Sequence, residues 1–369
     1  MFLIRSLGQG GAERQLLNLA LGLRRLGHDV AVVTFYKGEW LEKELCDEGI
    51  HVWTLGKRGR WDIVPSALRL AYLVQKARPD ILHSYLTTAN LLALLPKVFC
   101  PSLKLVWGIR ASNVDFDCYD WFTKLSFQCE CLLSRFADLI IVNSYASREY
   151  HLAHGFPGKK MVVIHNGIDT DRFKPDEKAG KRVRCEWGIE EREILIGLVG
   201  RLDPMKDHPT FLKAAALVVQ QREDVNFVCV GDGPEGYREE LRRLANKLGL
   251  TRRLNWAGFR HDMPAVYNAL DVCVSASCWG EGFPNVVVEA MACGVSCVVS
   301  GVGDSALIVA EFGIVVKANE ATLLAQGINA ALTGALRNGS NQLRERVINN
   351  FSIAHCVNQS QQTLVTLLQ

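Results

Sequence analysis

Short apolar runs alternate with longer amphipathic stretches along almost the whole chain. Runs of four to six apolar residues bounded by turn residues read as buried strands, and the stretches between them carry apolar residues at helical spacing. In the first half the pattern predicts strands near residues 1–5, 29–35, 50–55, 80–84, 104–109, 138–143 and 161–165. Between the first two, Leu16, Leu17, Leu19, Ala20, Leu23 and Leu26 form a stripe that predicts a helix over 12–26, with Gly27 as its stop. Residues 62–77 repeat that pattern. A second series of strands is predicted at 194–199, 225–230, 253–257, 271–275, 296–300 and 313–316, with helices near 208–220, 235–248, 285–293 and 320–334. Strands that alternate with helices in this way predict an α/β protein with parallel sheets.

The two series are separated by a change in composition. From His165 to Arg184 the chain holds Asn166-Gly167, Pro175 and many charges, which reads as a turn followed by a linker. The boundary is expected near residue 177, giving two Rossmann-like domains, 1–176 and 177–369. The final stretch, 353–369, reads as a helix with no strand after it, able to pack on either domain. A length of 369 residues suits two domains of ordinary size.

Composition narrows the function classes. Hydrophobic residues make up 49% and charged residues 22%, so ordinary cores are available and a charge-rich disordered chain is excluded. A net charge of +3 is too small for a nucleic-acid binder, which needs a dense basic face. The apolar start Met1–Arg5 is too short for an export signal, and no apolar run reaches the ~20 residues of a spanning helix. A cytoplasmic protein is therefore expected. The twelve cysteines are scattered through apolar strings such as Phe227–Val230 and Asp271–Val274. Cys129 with Cys131, and Cys293 with Cys297, lack the second half of a zinc site, so reduced, buried cysteines are expected.

The strongest chemical signal lies at 277–300. Glu281 and Glu289 are separated by seven residues, and Gly282-Phe283-Pro284-Asn285 between them reads as a tight turn opening a helix, with Asn285 as its N-cap. A helix start presents free N–H groups and a positive dipole end to an anion such as a diphosphate. Glu289, one turn in, would accept hydrogen bonds from paired ribose hydroxyls, and Glu281 would reach hydroxyls of a sugar. The bland alternative is a strand–turn–helix unit with two solvated glutamates. A second constellation follows the strand at 194–199: Gly200-Arg201-Leu202-Asp203-Pro204-Met205-Lys206-Asp207-His208. Arg201 and Lys206 flank a loop at the carboxyl end of a strand, where open α/β sheets bind ligands. Two fixed cations there would hold a diphosphate as it becomes a leaving group. Gly231-Asp232-Gly233-Pro234-Glu235 again follows a strand, and Gly8-Gln9-Gly10-Gly11-Ala12-Glu13 forms the first strand–helix turn. The latter is no dinucleotide fingerprint, since Glu13 stands at the sixth position and no acid ends the second strand.

Together these residues resemble glycosyltransferase family four, the retaining sugar transferases of GT-B architecture, in which two Rossmann-like domains face each other across a cleft. The resemblance covers nearly the whole chain. It rests on GGAE at 10–13, HNGID at 165–169, VGRLDPMKDH at 199–208, GDGPE at 231–235 and the two-glutamate motif with its following EAMACG. It is closest to enzymes that build bacterial surface polysaccharides on lipid carriers. It implies a hexosyl- or N-acetylhexosaminyltransferase that uses a nucleotide diphosphate sugar of UDP type and needs no metal or other cofactor. Arg201 and Lys206 would grip the diphosphate, Glu289 the ribose and Glu281 the donor sugar, with Gly282, Phe283, Pro284 and Asn285 lending backbone groups. Gly258 and Phe259 would hold the base, and Gly10 and Gly11 would close over the phosphates. The first domain would serve the acceptor, a lipid-linked or other saccharide, and the second the nucleotide sugar. One departure stands out. Many relatives carry a histidine four residues after a valine at the end of the fifth strand, whereas here Val106 is followed by Arg110. A guanidinium does not lose its proton, so Arg110 is read as a dock for phosphate or an anionic acceptor. His83 is a further cleft candidate.

Three rival readings stand beside this one. A metal-dependent transferase needs Asp-x-Asp at a strand end, and Asp115-Phe116-Asp117 and Asp169-Thr170-Asp171 match the spelling without following a strand directly. A two-domain sugar-binding protein would carry an export signal and few free cysteines. A sugar-nucleotide epimerase of the same fold would need no acceptor and would show strong acid–base residues. Peripheral contact with an anionic membrane at the cytoplasmic face is also expected. Lys57-Arg58-Gly59-Arg60-Trp61 is the better lipid-facing element, and the amphipathic stretch 121–136, with Lys124 and Arg135, reads more simply as a core helix.

Overall fold

The computed structural model describes residues 1–8, 10–38, 40–59, 62–110, 121–335 and 339–369. The chain divides into two compact units, Met1–Gly167 with Ile353–Gln369, and Ile168–Ser352. The division therefore falls at Gly167, ahead of the residue 177 expected from composition, and the last helix belongs to the first unit. The supposed linker is also shorter than read: its end is the helix Glu177–Glu186, capped by Asp176, whose carboxylate accepts from the Ala179 N–H at 3.0 Å. Gly180 on that helix lies so close to Asn268 that a Cβ would stand 2.2 Å from its carbonyl oxygen. Charge concealed a packed helix, because only a narrow stripe of it is apolar.

The first unit holds a seven-stranded parallel sheet in the order β3-β2-β1-β4-β5-β6-β7. Its strands are β1 (Phe2–Ile4), β2 (Ala31–Thr34), β3 (His51–Thr54), β4 (Ile81–Tyr85), β5 (Lys104–Ile109), β6 (Leu139–Val142) and β7 (Met161–Val163). Alternate residues serve opposite faces. Phe2, Ile4, Val32, Tyr85 and Val106 meet the helix Gly11–Arg25 through Leu16, Leu19, Ala20 and Leu23, joined by Val357 and Leu364 of the helix Ile353–Leu368. Leu3, Val33, Leu82, Leu105 and Trp107 face the other way, onto Leu70 and Val74 of the helix Ile63–Ala77 and Ala89 of the short helix Thr87–Leu92.

The second unit holds a six-stranded parallel sheet in the order β10-β9-β8-β11-β12-β13. These are β8 (Ile194–Val199), β9 (Val225–Val230), β10 (Leu254–Gly258), β11 (Val272–Ser275), β12 (Ser296–Ser300) and β13 (Ile314–Val316). Burial on both faces explains runs such as Val225–Val230, in which every residue is buried. Cys229, Cys273, Cys293 and Cys297 are buried free thiols in this unit's core.

Both sheets are wound outward from a central pair, β1 beside β4 in the first and β8 beside β11 in the second. At such a reversal the two following loops diverge and leave a crevice at the strands' carboxyl ends. The Gly10–Gly11 loop follows β1, and the loops of Arg201 with Lys206 and of Glu281 follow β8 and β11, so these motifs fall on the two reversals, whereas GDGPE follows β9 and HNGID follows β7.

The last helix is held by close contact. A Cβ on Gly22 would stand 2.3 Å from a Val357 methyl. Gly22→Leu should therefore overpack this contact, lowering stability by about 1–3 kcal/mol. Urea melts would measure the loss, and limited proteolysis should cut 353–369 before the rest.

Candidate functional site

The site of the second unit grows from the carboxyl ends of β8 and β11. After β8 the chain passes Gly200 and Arg201 to Asp203, whose carboxylate accepts from the Met205 N–H at 3.0 Å and starts the single turn Pro204–Lys206. Asp207 follows with φ 49° and caps the helix His208–Val219 by accepting from the Thr210 N–H at 3.2 Å. Two capping aspartates in five residues thus fix the loop that carries Lys206. After β11 the loop 276–284 runs alongside, and the Cys278 N–H donates to the Met205 carbonyl at 2.9 Å. Across this seam the Lys206 ammonium donates to the Glu281 carboxylate, which also accepts from the Ser277 hydroxyl at 3.0 Å. Both charged side chains are largely buried, with 14% and 12% of their surfaces exposed. The structure thus joins two motif residues 75 positions apart.

Arg201 stands in the same loop with 76% of its side chain exposed, 3.3 Å from Asp203. The two cations therefore differ: Arg201 is a solvated arm and Lys206 is a fixed, paired one. Lys206 is withdrawn from water because Glu281 is its near neighbour and draws it in.

Gly231 and Gly303 explain two of the glycines. Gly231, with φ +139°, follows β9 where the chain presses on Gly200, and a Cβ there would lie 2.0 Å from the Gly200 carbonyl oxygen. Its N–H donates to the Gly258 carbonyl at 2.8 Å, tying the ends of β9 and β10. Gly303, with φ +63°, lies against the Glu281 and Gly282 carbonyls, and the next residue, Asp304, donates its N–H to Gly282 at 2.9 Å. Phe259, beside Gly258, is 57% exposed, as an open stacking face would be.

The helix Asn285–Ala292 opens as expected, but Asn285 is its first residue and not its cap. Pro284 occupies the cap position without a side-chain hydrogen bond. A proline ring cannot accept, so the first N–H groups are left to other partners. Phe283 is buried and packs on Phe351 at 5.6 Å between ring centroids. Glu289, the fifth residue of the helix, accepts from the Tyr267 hydroxyl at 2.7 Å. Burial pushes its carboxyl up to about 7, opposed by the Tyr267 hydrogen bond and by Arg172. Neither glutamate is a solvated surface charge.

In the first unit, Gly10 caps the helix Gly11–Arg25 directly after the β1 loop, and the Glu13 carboxylate folds over it. Arg110 stands directly after β5. It donates to the Tyr85 hydroxyl at 2.7 Å and to Asn166 Oδ1 at 2.9 Å, with its guanidinium 4.6 Å from the Tyr85 ring centre. A planar cation with a tyrosine beside it gains more from stacking than from full exposure. His83 lies within β4, buried between Phe2 and Tyr85 at 5.3 and 4.8 Å, with no hydrogen-bond partner at either nitrogen. Burial holds its imidazole well below the ordinary value, helped by the nearby Arg110 charge. It borders a cavity of about 700 Å³ beside the amino ends of β1, β2 and β4, the edge opposite the motifs. That removes it from the carboxyl-end crevice.

Sequence reasoning missed Tyr267, which holds Glu289, Ser277, which holds Glu281, and Asp207. Only Asp207 carried a signal, as an aspartate directly before a helix. Of the two Asp-x-Asp triplets, Asp115-Phe116-Asp117 lies outside the described residues, as do Gln9, Arg60, Trp61 and the run 111–113. Asp169 closes a turn by accepting from the Asp171 and Arg172 N–H groups at 3.1 and 3.0 Å. Among the described residues no three His, Cys, Asp or Glu side chains gather as metal ligands would.

A doubly wound sheet in each unit, with a buried ion pair at one reversal and a glycine loop at the other, marks the carboxyl edges of the sheets as candidate ligand sites. Residues 9–172 match the family model Glycosyltransferase Family 4, and residues 193–334 match Glycosyl transferases group 1. The chain belongs to these glycosyltransferases, of GT-B architecture. It is 27% identical over 305 residues to the UDP-Gal:alpha-D-GlcNAc-diphosphoundecaprenol alpha-1,3-galactosyltransferase of Escherichia coli, a match covering 78% of this chain and 76% of that one. To the D-inositol 3-phosphate glycosyltransferase of Mycobacterium sp. (strain KMS) it is 34% identical over 174 residues, 45% of this chain and 38% of that one. The solved structure of HepE from Anabaena in complex with UDP-glucose superposes with a TM-score of 0.84 at 25% identity, covering 99% and 98% of the two chains. The epimerase alternative is not favoured by these relatives.

The raised carboxyl of Glu289 has a testable sign. The folded protein keeps this proton up to about pH 7, whereas the unfolded chain releases it near 4.5. The group's contribution to stability is therefore full below about 4.5 and is lost as pH rises to about 7. Glu289→Gln should match the parent at pH 4.5 and exceed it at pH 8 by about 1–3 kcal/mol in denaturant melts. A difference independent of pH would contradict the assignment.

Proposed function

We propose that this enzyme transfers a hexosyl or N-acetylhexosaminyl group, with retention, from a UDP-sugar to a hydroxyl of a lipid-linked saccharide in polysaccharide or lipopolysaccharide assembly. The observation that carries the donor half is the Lys206–Glu281 pair at the β8–β11 reversal, with Glu289 one turn into the adjacent helix. A diphosphate laid over this seam meets Lys206, the exposed arm of Arg201 and the first N–H groups of the Asn285 helix. Glu289 accepts from the ribose hydroxyls, Phe259 and Gly258 flank the base, and Glu281 turns from Lys206 toward the sugar as the diphosphate takes its place. UDP and UDP-glucose complexes of HepE, at 24% and 25% identity, support the choice of base.

The sugar–phosphate bond breaks with positive charge developing on the sugar and negative charge on the diphosphate. Lys206 and Arg201 stabilise the departing charge. The acceptor oxygen enters on the face the diphosphate leaves, and that phosphate takes the acceptor proton. The protein supplies charge and positioning and is not required to supply a base. This agrees with an arginine at position 110, where Arg110, steadied by Tyr85 and Asn166, is read as facing an anionic acceptor group. The lipid-linked acceptor draws on the Escherichia coli relative, whose name specifies a diphosphoundecaprenol acceptor. Gly10 and Gly11 close over the phosphates. The enzyme works at the inner face of the cytoplasmic membrane, in peripheral contact with anionic lipid.

The test is a thermal-shift series with UDP and UDP-sugars, in which UDP at 100 times its Kd should add about 2.7 kcal/mol to stability. Arg201→Ala and Lys206→Ala should each lower turnover by ~10²-fold or more. Their stabilities should diverge. Arg201→Ala should be near neutral, while Lys206→Ala leaves the Glu281 charge without its cation and should cost about 1–3 kcal/mol. Near-normal turnover in both variants would remove the clamp from the mechanism.

A further inference from the structure

The turn after β10 carries an exposed ring on a clamped frame. Its first residue, Gly258, is tied to the neighbouring strand end, where its carbonyl accepts from the Gly231 N–H at 2.8 Å. Phe259 follows with most of its surface in the open, and its ring meets His261 edge-on, with 4.8 Å between ring centres and 87° between planes. An exposed ring by itself says little. What distinguishes this one is how the turn beneath it is held.

Arg260, the next residue, donates from Nε and Nη2 to the two carboxylate oxygens of Asp262, both at 2.8 Å. The other side of the same guanidinium donates from Nη1 and Nη2 to the two carboxylate oxygens of Glu186, the second at 3.0 Å. The Trp187 ring centre lies 5.8 Å from it. Two forked contacts on one planar cation fix both its place and its orientation, which an ammonium could not do. Exposed ion pairs usually contribute little, and forked pairs joined in a network are the exception. Only 18% of the Arg260 side chain is exposed, so it is no free arm for a ligand.

Both acids stand where their own helices have little use for them. Asp262 occupies the cap position of the helix Met263–Ala269, where an aspartate ordinarily accepts from the first N–H groups, yet its side chain makes no such bond. Glu186 is the last residue of the helix Glu177–Glu186, at the negative end of its dipole. The two helices do not depend on Arg260 to stay together. They pack directly, with Gly180 pressed on the Asn268 backbone, and the Asn268 amide donates to the Lys174 and Pro264 carbonyls at 2.9 and 2.8 Å. What the two forks add is the placement of the turn 258–262 on this frame.

We infer that Arg260 is a positioning residue for the nucleotide base: it fixes the turn to two packed helices so that the Phe259 ring stands ready as a stacking face. Stacking of a base on an aromatic ring needs only a free face at a fixed angle, and a ring already ordered loses less freedom on binding. This rests on the reading that a UDP-sugar binds with its base at Gly258 and Phe259, and it deepens that reading by naming what holds them.

The experiment is calorimetric titration of the full chain with UDP, beside urea melts of the same proteins. Arg260→Ala should raise the Kd for UDP about tenfold while its urea midpoint stays near the parent's. Arg260→Lys keeps the charge without the fork and should recover only part of the loss. Phe259→Ala should weaken UDP by a similar factor, and adding Arg260→Ala to it should cost little more, because the second residue acts through the first. A purely structural staple would instead lower the midpoint and give losses that multiply. If Arg260→Ala does not fold, Asp262→Asn, which breaks one fork, takes its place in the same cycle. Parent-like UDP binding in Arg260→Ala or in Phe259→Ala would overturn the inference and leave the donor site standing, as would independent effects of the two substitutions. A parent that binds no UDP would remove the donor reading itself.

Discussion

The ion pair between Lys206 and Glu281 is the constraint on which the architecture at the carboxyl edge of the second sheet turns. Each partner stands on a loop that leaves its strand at the reversal of the second sheet, and each is largely withdrawn from water. Removing charge from water is costly unless a partner and further hydrogen bonds compensate it. Ser277 supplies one such bond, and the Cys278–Met205 backbone contact holds the two loops in register. The pair keeps the loops together before any ligand arrives. It also fixes a largely buried cation at the carboxyl edge of the sheet.

The surroundings of this pair are arranged so that the backbone approaches closely and side chains do not intrude. Gly231 lets the end of β9 rest on Gly200, and Gly303 lets the loop after β12 rest on Glu281 and Gly282. Asp203 and Asp207 cap successive turns and remove the freedom of the Lys206 loop. Glu289 is handled differently. It is held by Tyr267 in a buried setting that favours its protonated form. Two carboxylates eight residues apart in sequence thus meet opposite electrostatic conditions, one against an ammonium and one against a phenol.

The first unit repeats the same winding. Its reversal carries the Gly10–Gly11 loop, and the Arg110 side chain stacks on Tyr85 at the end of β4. The neutral, buried His83 contributes packing between two aromatic rings. The sheet's faces are divided as well. One is covered by the helices Gly11–Arg25 and Ile353–Leu368, and the other by helices that include Ile63–Ala77, on which Val64, Leu68 and Tyr72 are exposed.

The alternation of apolar runs and amphipathic stretches determined the thirteen strands and the α/β class, because burial on both faces of a parallel sheet imposes a pattern that neighbours along the chain already carry. The ordered motifs determined the candidate residues for the same reason: a glycine at a crowded strand end and an acid before a helix answer to local geometry. What the sequence could not decide depended on partners distant along the chain. The Lys206–Glu281 contact joins residues 75 positions apart, and Tyr267 reaches Glu289 across 22. Asn285 looked like a cap until Pro284 took that position, and the helix 177–186 looked like a linker because its burial is supplied by the helix Met263–Ala269. The last helix returned to the first unit because Gly22 leaves room for Val357, and packing of that kind has no trace in the local pattern of either segment.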